Sequence, residues 1–250
     1  LYLASLLTFP PTERVAAGIS TQEMYKSVLT PLFLFMILCM MGTAITELFT
    51  GQWIDVLLHN VTQNAILILT LTAGVQTLGR AFAEPVVHKF SPVGVLIIST
   101  ILSALGLYLM ANTGGVMIFF SALLFGMGVT FFWPTMLGFV SENIPQSGAL
   151  GINLMGGAGM FAVSVYLYFM GGVYDRILSQ HLPAGASLST YQAAAPNTPE
   201  AQALIHAKSF AGPDILMQTM IIPLILIVAF GGLYFYMRGR EKPSLSSKAA

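Results

Sequence analysis

The feature that most constrains this chain is a succession of long apolar runs that hold almost no charge. A helix crossing ~30 Å of hydrocarbon needs about 20 mostly apolar residues at 1.5 Å each. The sequence predicts six such spans, over Pro31–Leu58, Thr62–Ala83, Pro92–Asn112, Gly114–Ser141, Ser147–Tyr174 and Asp214–Met237. Charged residues make up only 8% of the 250 positions, where a soluble domain carries about 25%. That is too few to cover a surface with water, so the apolar excess faces lipid. The expected fold is an all-α membrane protein built as a six-helix transmembrane bundle.

Local chemistry marks the ends of these spans. Pro31 follows Thr30 and Pro92 follows Ser91, which predicts hydroxyl N-caps with proline at the first helical position. Pro134 and Pro223 fall inside spans, as packed membrane helices allow. Leu1–Phe9 is apolar but too short to cross, and reads as the tail of a helix cut off upstream. Pro10–Thr30 then reads as a cytoplasmic loop and residues 238–250 as a cytoplasmic tail. Between the fifth and sixth spans, residues 176–213 form the one long outer loop. A short helix opens there at Thr198-Pro199-Glu200 and is closed by Gly212-Pro213.

Basic residues set the orientation. Arg14, Lys26, Lys89, Arg238, Arg240, Lys242 and Lys248 fall on the side of the two chain ends, with Arg80 at its border. Only Arg176 and Lys208 fall on the other. Both ends are therefore expected in the cytoplasm of a cell (inner) membrane. A net charge of zero argues against a nucleic-acid partner. One cysteine, Cys39, excludes an internal disulfide and any multi-cysteine metal site.

Ionisable groups inside spans are the first functional candidates, because a lone charge in hydrocarbon costs several kcal/mol. Two qualify. Glu47 stands 16 residues beyond Pro31, about 24 Å from the inner face at 1.5 Å per residue. Thr43, Glu47 and Thr50 share a helical face, and Gln52 and Trp53 follow. This polar strip suits a cavity wall that binds hydroxylated ligands; the plainer reading is outer water at Glu47 and an interfacial Trp53. Arg80 stands 16 residues after Asn64, which sets it about 18 Å from Glu47 in depth, too far for a pair. Its expected partners are Glu84 and Glu142, in a structural or gating ion pair, the alternative being snorkelling to the interface. Thr72, Gln76 and Arg80 form a stripe that lines a path inward.

The fourth span places Thr130 and Trp133 between Gly126-Met127-Gly128 and Pro134, a helix that can bend. The fifth carries Gly148, Gly151, Gly156, Gly157 and Gly159, a small-residue face for close packing, with Asn153 its lone amide at depth. No His-Glu-x-x-His, Gly-x-Ser-x-Gly or phosphate-binding Gly-Lys-Ser/Thr pattern occurs. The expectation is therefore no catalytic residue, no metal and no cofactor. Uphill work would draw on an ion gradient.

Several stretches carry a family likeness. Gly42–Trp53 (GTAITELFTGQW) resembles the seventh helix of sugar-type permeases in the major facilitator superfamily. Gly79-Arg80 followed by Pro85-Val86-Val87-His88-Lys89 resembles the basic loop between helices eight and nine, and Phe125–Gly159 resembles helices ten and eleven. The resemblance implies the C-terminal six-helix half of such a transporter, working by alternating access with an N-terminal half of the same chain. Helices seven, eight, ten and eleven would then face a central cavity. The expected cavity residues for a sugar-like solute are Glu47, Gln52, Trp53, Gln76, Trp133 and Asn153. Glu47 would also couple protons, and Arg80, Glu84 and Glu142 would form the gate. A transport-inactive receptor or scaffold, or a self-contained six-helix channel, are the alternatives.

Overall fold

In the computed structural model the chain is described over residues 18–58, 65–83, 90–183, 185 and 187–240. Every regular element among these residues is helical. Five helices are long and apolar enough to cross a membrane: Pro31–Leu58, Pro92–Asn112, Met117–Asn143, Pro145–Gln180 and Pro199–Gly239. A shorter apolar helix covers Ile66–Ala81. The architecture is that of a multi-pass all-α membrane protein.

A short surface helix, α1 (Thr21–Ser27), opens the described chain. Ser20 accepts from the Glu23 amide at 3.2 Å, while the Glu23 carboxylate accepts from the Ser20 N–H at 2.9 Å. This reciprocal cap holds the Glu23 carboxyl below its ordinary range, chiefly through the Ser20 N–H. The first long rod, α2, runs Pro31–Leu58 and contains a π-helical turn at Ile45–Phe49. Proline occupies its first helical position as expected. The Thr30 hydroxyl, however, donates back to the Ser27 carbonyl instead of capping α2. Ser91 does cap, accepting from the Gly94 amide at 3.3 Å.

The remaining elements are α3 (Ala65–Ala81), α4 (Pro92–Asn112), α5 (Met117–Val129), α6 (Phe132–Asn143), α7 (Gly148–Gln180), α8 (Leu188–Gln192) and α9 (Pro199–Arg240). Packing pairs α4 with α5 and α9, α2 with α7, and α3 with α5. Phe33, Met36, Met40, Phe49, Phe125, Phe132 and Phe230 fill the centre, each with 1% exposure or less. The close-packed crossings use glycine where two backbones nearly touch. A Cβ at Gly106 would lie 2.6 Å from the Phe125 backbone, and one at Gly128 would collide with the Ser103 amide nitrogen.

Two expectations are corrected here. The chain is helical through Gln180, and the segment beginning at Pro199 continues without a break through Gly212-Pro213. Pro213 lacks an N–H but sits within a packed helix that tolerates the lost bond. Gly212 serves as a contact, since any Cβ there would collide with the Leu57 carbonyl of α2. The glycine-proline pair therefore marks a helix crossing, not a stop.

Candidate functional site

The centre of interest lies where the π-turn of α2, the last turn of α3 and the break between α5 and α6 come together. A π-turn inserts one extra residue into an α-helix and occurs often at functional sites. Here it carries Glu47, which is 4% exposed, between Thr46 and Thr50, both fully buried. Thr46 satisfies itself on the Gly42 carbonyl at 2.9 Å.

Arg80 approaches from α3 and pairs with Glu47, its Nη2 donating to Oε1 at 2.5 Å. This corrects the expectation that the two stand too far apart. The expectation counts depth from opposite ends of the hairpin, as if each helix filled one ~30 Å layer. Counted from the ends that residues 59–64 join, Glu47 lies 11 residues before Leu58 and Arg80 lies 15 after Ala65. The axial difference is then about 6 Å, which an arginine side chain spans. Glu142, one expected partner, is exposed near the C-terminal end of α6 and makes no bond to Arg80. Glu84, the other, lies outside the described residues.

The helix break supplies the second anchor. Residue 134 is proline, so the Thr130 carbonyl four residues earlier loses its intrahelical donor. The Arg80 Nε–H takes that place at 3.1 Å. Gly79 permits the approach, since even the hydrogen-for-methyl change would bring a Cβ within 2.6 Å of the Thr130 methyl group. Arg80 thus ties α3 to α2 through a carboxylate and to α5 through a carbonyl that Pro134 leaves open.

This arrangement predicts a specific coupling. Arg80→Lys keeps the charge but cannot supply the Nε–H to Thr130 while reaching Glu47. Pro134→Ala restores an N–H four residues after Thr130. We expect Arg80→Lys to cost about 1 kcal/mol less in the Pro134→Ala background than alone, the worth of one neutral hydrogen bond. Thermal unfolding of the four proteins measures the difference, and strict additivity would refute the anchor.

Five buried side-chain polar atoms have no partner among the described residues: Glu47 Oε2 and Thr50 Oγ1 on α2, Trp133 Nε1 and Thr135 Oγ1 on α6, and Tyr174 Oη on α7. Buried polar atoms are usually satisfied, so a group of orphans is a reason to look for a ligand. Trp133 is half-buried, its indole edge against the glycine face of α7. A Cβ at Gly159 would stand 3.4 Å from Cη2.

On α3, Thr70, Ala73, Thr77 and Arg80 follow helical spacing along an exposed strip, with Gln76 half-buried at its edge and the exposed Ile66 one turn before Thr70 on the same face. The exposed Leu67, Leu78 and Phe82 occupy a different face. On α7, Asn153, Gly157, Ser164 and Tyr168 share a helical face with the exposed Met160, so that face is mixed rather than polar.

The other expected residues are more scattered. Gln52 is exposed, near the C-terminal end of α2. Trp53 is half-buried and packs on Phe49 at 5.3 Å and edge-on to Tyr174 at 5.7 Å, so its ring has protein neighbours. Among the described residues no group of three His, Cys, Asp or Glu side chains has metal-holding geometry. Sequence reading missed the backbone acceptor at Thr130, although proline at position 134 signals it. No protein-family profile, curated protein or solved structure matches the chain.

Proposed function

We propose that this chain is the C-terminal-type half of a secondary transporter of the major facilitator superfamily. It would move a small polar organic solute, with hydroxyl-rich, sugar-like compounds the first class to test. The carrying observation is the Glu47–Arg80 pair, which joins a π-turn in the middle of α2 to the last turn of α3 beside a proline break, with the second Glu47 oxygen and Thr50 Oγ1 left without partners among the described residues. A buried acid-base pair between two helices can exchange partners as those helices move, which is what alternating access requires. The run of Thr70, Ala73, Thr77 and Arg80 along α3 supports a cavity closed by a second six-helix half of the same protein. On this reading both ends of the present chain are cytoplasmic, and α6, packed against α2, carries Trp133 into the site. Glu47 is the proton-binding group, since it is the one carboxylate buried at that depth among the described residues.

Proteoliposomes holding the complete protein test this. Labelled glucose, sorbitol, glucuronate, gluconate, lactate and propane-1,2-diol are supplied under an imposed proton gradient. At least one is expected to accumulate, and Glu47→Gln is expected to abolish accumulation. Uptake by Glu47→Gln with unchanged rate and unchanged gradient dependence would end the proposal of coupling through Glu47. No movement of any solute would favour a receptor or scaffold.

A further inference from the structure

Arg80 carries donors that none of the described residues takes up. Its Nε–H goes to Thr130 and one Nη2 hydrogen to Glu47, while Nη1 has no partner among the described residues. The side chain is 40% exposed and belongs to the exposed strip of α3. The open edge, formed by Nη1 and the second Nη2 hydrogen, is a flat two-pronged donor. That shape and charge match a carboxylate.

Glu47 is the opposite case. It is 4% exposed, and its Oε2 lacks a donor in a place closed to water. Thr50 Oγ1, a helical turn further on, is also buried and unpartnered. One proton on Oε2 would relieve the first atom, and the hydroxyl of Thr50 is of the type that can accept from it.

We infer that the transported solute bears a carboxylate, which docks on the open edge of Arg80 as one proton binds Glu47. This rests on the transporter reading and narrows its solute to acids, hydroxy acids and sugar acids among them, in place of neutral sugars. Charge balance ties the two events together. The resting pair is neutral, and a net charge held in hydrocarbon is costly. A docked carboxylate alone makes the site negative; a proton alone leaves the Arg80 charge without its carboxylate partner. Only both together restore neutrality, so solute and proton move one for one. The proton comes from water on the side of entry and returns to water on the side of release. No bond other than the Glu47 O–H is made or broken.

The neighbouring helices add little competing charge. Of the elements packed against α2, α3 contributes Arg80 and α7 contributes Tyr166, whose ring lies edge-on to Phe49 at 4.8 Å, and Tyr174. Asp55 on α2 itself, Glu142 on α6, and Asp214 and Arg238 on α9 are all exposed, and among the described residues Arg80 is the cation paired with Glu47. Arg80 then acts as a binding residue rather than as part of a gate.

The test uses proteoliposomes of the complete protein loaded with a pH-sensitive dye. The acids glucuronate, gluconate and lactate are matched with glucose, sorbitol and propane-1,2-diol. We expect at least one acid to enter with one proton, equally with or without an applied membrane potential, and its neutral counterpart to do neither. Glu47→Gln should lose proton entry yet keep exchange of the acid within roughly threefold, because Arg80 remains. Arg80→Gln should raise the half-saturating concentration of the acid at least about tenfold. Arg80→Lys, the safer variant for folding, should give a smaller rise, since the charge stays and the fork is lost.

Movement of a neutral solute with protons, and of none of the acids, overturns this inference and leaves the transporter reading standing. The same holds if Arg80→Gln and Arg80→Lys both keep the acid's half-saturating concentration within roughly threefold. If no solute of either set moves, both fall.

Discussion

Arg80→Ala should destabilise the protein by about 3 kcal/mol, and adding Glu47→Gln should recover most of that loss. The asymmetry follows from burial. Removing Arg80 leaves the Glu47 carboxylate at 4% exposure with no cation beside it. Breaking a buried pair from one side costs about 3–5 kcal/mol, because the remaining charge is stranded away from water. It also reopens the Thr130 carbonyl that Pro134 leaves without a donor. Glu47→Gln alone should cost less. Arg80 is 40% exposed, and its charge is partly met by solvent or by headgroups. A glutamine at position 47 still offers a carbonyl acceptor to the guanidinium. In the double variant no stranded charge remains. The four proteins, unfolded thermally in one detergent, give the coupling directly. Effects that add within about 0.5 kcal/mol would mean the two residues do not share an interaction.

The second large effect belongs to the α4–α5 crossing. Gly106→Ala should cost about 2–3 kcal/mol or prevent folding, because its Cβ would be forced to 2.6 Å from the Phe125 backbone. Main chain cannot step aside as a flexible side chain does. Gly128→Ala should behave alike, as its Cβ meets the Ser103 amide nitrogen and, at 2.9 Å, the Ser99 carbonyl. Gly74 on α3 is the internal control, with nothing within 4 Å of the position its Cβ would take. Gly74→Ala should stabilise by about 0.5–1 kcal/mol, the helix-propensity difference alone. Melting temperatures separate the two classes. Equal tolerance at Gly106 and Gly74 would show that the helices do not cross as described.

The membrane character and much of the helix layout were legible from hydropathy and capping. Pro31–Leu58 and Pro92–Asn112 coincide with the segments read from sequence. The failures have physical causes. Gly212-Pro213 looks like a stop because local propensity favours one, but the contact with Leu57 is a tertiary fact that periodicity does not contain. The glycines of the fifth span read as a face for close packing. The backbone collisions fall instead at Gly106 and Gly128, where the neighbouring helices α4 and α5 cross, and at Gly212 against α2.

The site was half legible. Glu47 and Arg80 stood out because each is an isolated charge in an apolar run. Their pairing did not, since depth was measured on the assumption that both helices span equal slabs from opposite faces. The 28-residue length of Pro31–Leu58 already allows Glu47 a position nearer mid-helix. The π-turn that carries it has no sequence signature here. The link from Arg80 to Thr130 was recoverable in principle, because proline at 134 fixes which carbonyl is left open.

The last helix has 42 residues, about 63 Å at 1.5 Å per residue, roughly twice the thickness of the oily layer. A substantial length of that rod must therefore stand clear of the lipid. The His181 ring, at the end of α7, stacks on Phe210 of the rod at 5.2 Å, so the two helix ends form one mast. On the proposed transporter reading, rocking inside the bilayer would become a larger sweep at its tip, and a fluorophore or spin label near Thr198 would follow that proposed cycle from a position remote from Arg80 and Glu47.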